Sequence, residues 1–231
     1  MQDLKVTIVQ SHLYWEDVEH NLDMFSEKLE KLQETGDLVI LPEMFSTGFS
    51  MNSEKLAEEM DGSAMTWMAT EAEKKNTIIC GSLIIKEEGH YYNRLIWMRP
   101  DGSCDQYDKR HLFRMMNEHQ HFSCGQKRMV VNLNSWRICP MICYDLRFPV
   151  WSRNRGDYDC LIFIANWPEP RREAWLSLLT ARAHENQAYV IGVNRVGEDG
   201  NGISFAGDSV ANDPKGKIIG MVKKGEEGVA A

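Results

Sequence analysis

No run of apolar residues in this 231-residue chain is long enough to cross a bilayer, which takes about 20 in a helix. No basic-then-apolar leader opens it either: Met1 leads straight into the strand-like Leu4–Gln10, so a soluble, cytoplasmic protein without membrane partners is expected. Cations are in deficit, with 26 Lys and Arg against 34 Asp and Glu and a formal charge of −8. A nucleic-acid partner would need clustered cations, so none is expected. The six cysteines contain no Cys-x-x-Cys pair, and Pro140 lies between Cys139 and Cys143. Cys80 and Cys160 sit inside apolar runs, where a thiol is a small core filler, so reduced thiols are expected. His111, His119 and His121 share a loop with neither a cysteine pair nor an acid at helical spacing, which gives no metal site. Repeats, low-complexity tracts and linkers are missing too, so residues 4–231 read as a single domain.

What is present is an alternation of strand and helix patterns. With 43% hydrophobic residues the chain can bury one substantial core. Leu4–Gln10 and the all-apolar Leu38–Leu41 read as strands, the second covered on both faces. Between them Val18–Glu34 carries Leu22, Phe25, Leu29 and Leu32 on one helical stripe. Ala64–Lys75 is a second helix, and Thr77–Lys86 with Tyr91–Arg99 forms a hairpin about Glu88-Gly89. The second half gives strands at Met129–Leu133, Ile138–Cys143, Cys160–Ala165, Ala188–Arg195, Asp208–Asn212 and Lys217–Val222. Helices are expected at Val150–Arg155 and Arg171–Gln187, the latter carrying His184. Such alternation predicts a layered α/β fold.

Three segments end in chemistry. An apolar run closes on Glu43, Asp105-Gln-Tyr-Asp leads to Lys109, and Ile138–Ile142 runs into Cys143 before breaking at Pro149. A carboxylate, an ammonium and a thiol at separate strand ends are the parts of a base-assisted covalent hydrolase. Each also has an ordinary reading: a core thiol, a solvated loop acid, a member of a surface charge cluster. For Cys143 the strand-to-turn position, Tyr144-Asp145 behind it and Arg147 nearby favour the functional reading, because a turn after a nucleophile can aim its N–H at an oxyanion.

Together, Leu41-Pro-Glu-Met-Phe45, Tyr107-Asp-Lys-Arg-His-Leu-Phe113 and Cys143-Tyr-Asp-Leu-Arg-Phe-Pro149 resemble the three signature segments of the nitrilase, or carbon–nitrogen hydrolase, superfamily, in the family order. The resemblance extends through Asn166-Trp-Pro168, Ala181–Gln187 and Gly207–Gly216. It implies a four-layer αββα sandwich in which Glu43 is the general base, Lys109 the oxyanion stabiliser and Cys143 the nucleophile, with no metal or organic cofactor. Glu118, in Asn117-Glu-His-Gln-His121, stands where many members carry a second glutamate, although a surface acid in a His-rich loop is its ordinary reading.

Within the superfamily the motifs are most similar to the bacterial omega-amidase branch, which deamidates 2-oxoglutaramate and 2-oxosuccinamate. That implies a small amide substrate bearing a carboxylate, with Tyr144, Arg147, Trp167 and Arg171 as candidate binding residues; Arg147 could equally brace the turn after Cys143. An N-carbamoyl or other aliphatic amide hydrolase, and a catalytically silent binding protein, are the alternatives. The resemblance further implies a homodimer or larger assembly through the face carrying Arg171–Gln187. Members usually continue with another strand and a tail across the dimer interface, whereas this chain stops soon after Gly225-Glu-Glu-Gly228, so a short C-terminus is expected.

Overall fold

Period-two patterning divides the strands of the computed structural model, which describes residues 2–230, between two stacked sheets. In chain order the strands are β1 (Val6–Gln10), β2 (Leu38–Ile40), β3 (Ile78–Glu87), β4 (His90–Met98), β5 (Cys104–Asp108), β6 (Val131–Leu133) and β7 (Trp136–Ile142). They continue as β8 (Cys160–Ala165), β9 (Tyr189–Asn194), β10 (Val196–Glu198), β11 (Ser204–Ala206), β12 (Val210–Asn212), β13 (Ile218–Met221) and β14 (Gly228–Ala230). One sheet has the order β14-β1-β2-β3-β4-β5 and the other β13-β12-β9-β8-β7-β6, with β10 and β11 a separate ribbon.

Alternate residues of each strand face different layers. Ile8, Leu38, Ile40, Cys80 and Trp97 pack inward with Ile142, Ile162 and Ile164 of the second sheet. Val9, Val39, Leu41 and Ile79 face outward, against Phe25 and Leu29 of the Val18–Glu30 helix and Met65, Met68 and Ala72 of the Ser63–Lys75 helix. On the far side Trp175, Leu179 and Ala183 of the Arg172–Asn186 helix close over the second sheet. That helix approaches so closely that a Cβ on Gly192 would lie 2.4 Å from a Leu179 methyl carbon, so glycine is required there. The result is the expected αββα sandwich.

Most of the expected elements form, with shifted ends. The Val18 helix stops at Glu30 rather than Glu34, because the chain must turn through Gly36 (φ +72°) for Asp37 N–H to reach the Lys5 carbonyl at 2.8 Å. The helix expected at Val150–Arg155 is one turn, Pro149–Ser152. A strand does begin at Gly228: β14 pairs antiparallel with β1. No helix among the described residues is long and apolar enough to cross a membrane.

Strands β1, β2 and β3 run parallel, as do β7, β8 and β9. β4 is antiparallel to β3, and β5 to β4, so β5 points the same way as β3. Glu43 follows β2, Lys109 follows β5, Cys143 follows β7 and Asn166 follows β8. Open parallel sheets place their ligand sites at such carboxyl ends.

Candidate active site

Cys143 is the first residue beyond β7 and has φ +44°, a left-handed backbone that few non-glycine residues adopt. Such strain, on the order of 1–3 kcal/mol, persists only where the surroundings over-determine it. Here they do so through Asp145, which is fully buried. Its carboxylate accepts from Ile142 N–H (3.2 Å), Tyr107 O–H (2.7 Å), His111 N–H (3.0 Å) and His111 Nδ1 (2.8 Å). A carboxylate only accepts, so Nδ1 carries the His111 proton. The imidazole also stacks on Phe148 at 3.6 Å, and Arg182 donates to the Leu146 carbonyl (2.7 Å). The turn is therefore clamped on both sides of the sulfur.

Glu43, Lys109 and Glu118 are all completely buried and form one cluster. Lys109 Nζ donates to Glu43 Oε1 (2.8 Å) and to both oxygens of Glu118 (2.9 and 3.0 Å). Glu43 Oε2 accepts from Asn166 N–H (2.8 Å), and the Asn166 side-chain amide donates to the Glu43 carbonyl. Phe113 N–H closes the shell of Glu118, and the Phe49 ring faces the ammonium at 4.9 Å. The ordinary reading of Glu118 as a surface acid does not hold; Phe113 N–H and the ammonium draw it inside.

Burial opposes charge on Lys109, yet Glu118 and Glu43 outweigh it and raise the ammonium above the usual lysine range. Burial likewise pushes Glu118 upward, with Lys109 pulling the other way. For Cys143, burial and then the neighbouring Glu43 carboxylate carry the thiol well above its ordinary value, against a smaller opposing effect of Lys109. The resting sulfur is thus a protonated thiol that needs a base to become a nucleophile.

A cavity of about 240 Å³ opens onto Cys143. Tyr144, Arg147, Trp167 and Arg171 line it, so all four candidate binding residues converge there, joined by Phe49 and Phe113. Arg147 lies over the Trp167 ring at 4.9 Å and Arg171 over Phe113 at 5.0 Å. Arg172 is held by Asp208 at 2.9 and 3.0 Å, whereas neither Arg147 nor Arg171 meets a carboxylate among the described residues. Two unpaired guanidinium groups over aromatic faces make the cavity receptive to an anion. His119 and His121 are exposed and do not line this cavity. A larger cavity, about 620 Å³, lies between Leu4–Ile8 and Asn212–Gly220 and includes none of Glu43, Lys109 and Cys143.

Sequence reasoning missed Asn93, which donates to Glu43, the role of Asp145 as the clamp, and the β10–β11 ribbon that contributes Phe205 to the cavity.

The profile of the Carbon-nitrogen hydrolase family matches residues 5–231. The chain belongs to the carbon–nitrogen hydrolase family. The omega-amidase YafV of Escherichia coli (strain K12) is 48% identical over 220 residues, 95% of this chain and 85% of that one. The 2-oxoglutaramate amidase of Bacillus subtilis (strain 168) is 35% identical over 87% of this chain and 79% of its own length. A superfamily protein from Xanthomonas campestris, solved with an arsenic adduct in its active site, superposes with a TM-score of 0.97 at 44% identity, over 100% of this chain and 90% of that one. As a family member the chain is a hydrolase of carbon–nitrogen bonds.

Proposed function

We propose that this carbon–nitrogen hydrolase is an omega-amidase that converts 2-oxoglutaramate, or a similarly small 2-oxo acid amide, to the dicarboxylate and ammonia. The observation that carries this reading is a thiol beside a buried carboxylate–ammonium cluster, in a cavity with two arginines that meet no carboxylate among the described residues. Named relatives of that activity at 48% and 35% identity support it.

In this scheme Glu43 takes the Cys143 proton as sulfur attacks the amide carbonyl. The oxyanion is met by Lys109 Nζ and Tyr144 N–H, each such donor being worth about 3 kcal/mol at the transition state. The C–N bond then breaks, and Glu43 passes its proton to the departing nitrogen, leaving a thioester on Cys143. Water adds to that carbonyl, gives a proton to Glu43 and displaces the sulfur, which recovers its proton. Glu118 keeps Lys109 charged and aimed. Splitting amide hydrolysis this way replaces one high barrier with two lower ones. No step calls on a metal or an organic cofactor.

Arg147 or Arg171 binds the substrate carboxylate, and Trp167 forms the wall. The test is ammonia release from 2-oxoglutaramate against glutamine, whose α-ammonium those cations repel. A preference of at least about tenfold in kcat/KM, some 1.4 kcal/mol, is expected. Replacing the carboxylate-binding arginine by alanine should raise KM by about 10–100-fold with kcat little changed, the loss of a hydrogen bond to a charged group. Equal turnover of glutamine, or unchanged KM in both Arg147→Ala and Arg171→Ala, would sink the substrate assignment.

We also take residues 4–231 as one catalytic unit, working in the cytoplasm as a homodimer or larger assembly through the face of the Arg172–Asn186 helix. Sedimentation that finds only monomer would remove that assembly.

A further inference from the structure

The two buried carboxylates share more than the ammonium. Asn93 lies in β4, paired with Ile84 of β3 and fully buried. Its side-chain Nδ2 donates to Glu43 Oε1 at 2.8 Å and reaches Glu118 Oε1 at 3.4 Å. Its backbone carbonyl accepts from Lys109 N–H at 3.0 Å. One residue therefore holds all three charged groups: the carboxylates through its amide and the lysine through its main chain. The amide orientation follows from chemistry, because turning it over would set its oxygen against two carboxylates. Asn93 Oδ1 is left buried with no partner among the described residues. A fold that leaves an acceptor unsatisfied in its core usually does so for the sake of a site.

The two oxygens of Glu43 are consequently unlike. Oε1 receives both Lys109 Nζ and Asn93 Nδ2, while among the described residues Oε2 receives only Asn166 N–H. Cys143 sulfur sits 3.9 Å from the carbonyl of that same Asn166, so the sulfur and Oε2 share one neighbour that Oε1 does not. An oxygen already accepting two donors is the poorer place for a proton, so a proton taken up by Glu43 belongs on Oε2. The charged or titratable groups around Glu43 are Lys109 from the end of β5, Glu118 from the short Glu118–His121 helix and Cys143 from the end of β7.

We propose that Asn93 is a positioning residue that occupies Glu43 Oε1 and so directs proton exchange with sulfur and leaving nitrogen through Oε2. This rests on the reading of Glu43 as the base. The amide donor favours the ionised carboxylate, and its removal should make Glu43 harder to ionise.

The test compares wild type, Asn93→Ala, Asn93→Ser and Glu43→Gln in two pH profiles. One is kcat/KM for ammonia release from 2-oxoglutaramate. The other is the rate of Cys143 alkylation by iodoacetamide, followed by peptide mass spectrometry, which needs no knowledge of the substrate. In Asn93→Ala, kcat should fall about 100-fold with KM changed less than about threefold, and the acid limb of both profiles should move up by about one pH unit. Asn93→Ser keeps a hydroxyl donor and should recover part of both effects. An acid limb unmoved in Asn93→Ala, or a serine variant no better than alanine, overturns the proposal. Should the alanine variant not fold, an unmoved limb in Asn93→Ser overturns it alone. The reading of Glu43 fails separately: Glu43→Gln would then alkylate at Cys143 as fast as wild type, which also removes the basis for Asn93.

Discussion

Cys143→Ala is expected to lower ammonia release by at least about four orders of magnitude, the scale on which covalent hydrolases lose turnover with their nucleophile. The melting temperature should hardly move. The sulfur is nearly buried, and its one hydrogen-bond contact among the described residues is long, to the Asn166 carbonyl at 3.9 Å. The left-handed turn is held by Asp145 and His111 rather than by sulfur. Loss of activity without loss of fold thus separates chemistry from packing. Glu43→Gln should be comparably inactive for a different reason: burial, the larger cause of the thiol's raised pKa, persists in that variant, and no base remains to take the proton. A Cys143→Ala enzyme retaining more than about 1% of wild-type kcat would rule out the thioester.

Much of this is legible because β2 and β7 lie in the parallel parts of the two sheets. A buried parallel strand is apolar throughout, so a reactive side chain directly after one marks the sheet's end, which picks out Glu43 and Cys143; Lys109 follows the polar, antiparallel β5 and is legible from its signature segment instead. The layer order was legible too, since apolar strands such as Leu38–Ile40 alternate with striped helices. Asn93 was not found, though a signal existed. It shares its strand face with Leu95 and Trp97, which pack between the sheets, and is the polar member of that inward row. Within Tyr91-Tyr-Asn-Arg it reads as ordinary hairpin polarity. The β10–β11 ribbon could not be read, because Val196–Glu198 and Ser204–Ala206 are three residues each, too short to show a period. The clamp through Asp145 needs His111 and Tyr107, more than thirty residues away, and no local pattern encodes such a meeting.

Lys109→Met should remove both activity and stability, and the pH dependence of the second is the sharper test. In the wild type one ammonium neutralises part of two fully buried carboxylates. Its pKa is raised in the fold, so its stabilising effect is complete below the unfolded lysine value near about 10.4 and fades only as pH climbs through the folded value. Across mildly acidic to neutral pH that contribution is flat. With methionine in place, Glu43 and Glu118 lie buried with no cation, which costs about 3–5 kcal/mol at neutral pH, or some 6–20 °C of melting temperature in a chain of this size. Burial, which already raises Glu118, then acts on it without the opposing cation, so the folded state binds more protons than the unfolded one. Stability must therefore increase as pH falls from about 8 to 5, more steeply than in the wild type, where Lys109 opposes the upward push on Glu118. Adding Glu118→Gln should restore part of the loss at neutral pH and flatten the slope, because one of the uncompensated charges is gone. Thermal melts of the three proteins across that range decide it: a Lys109→Met profile parallel to wild type would mean that the ammonium does not hold the two acids in their charged form.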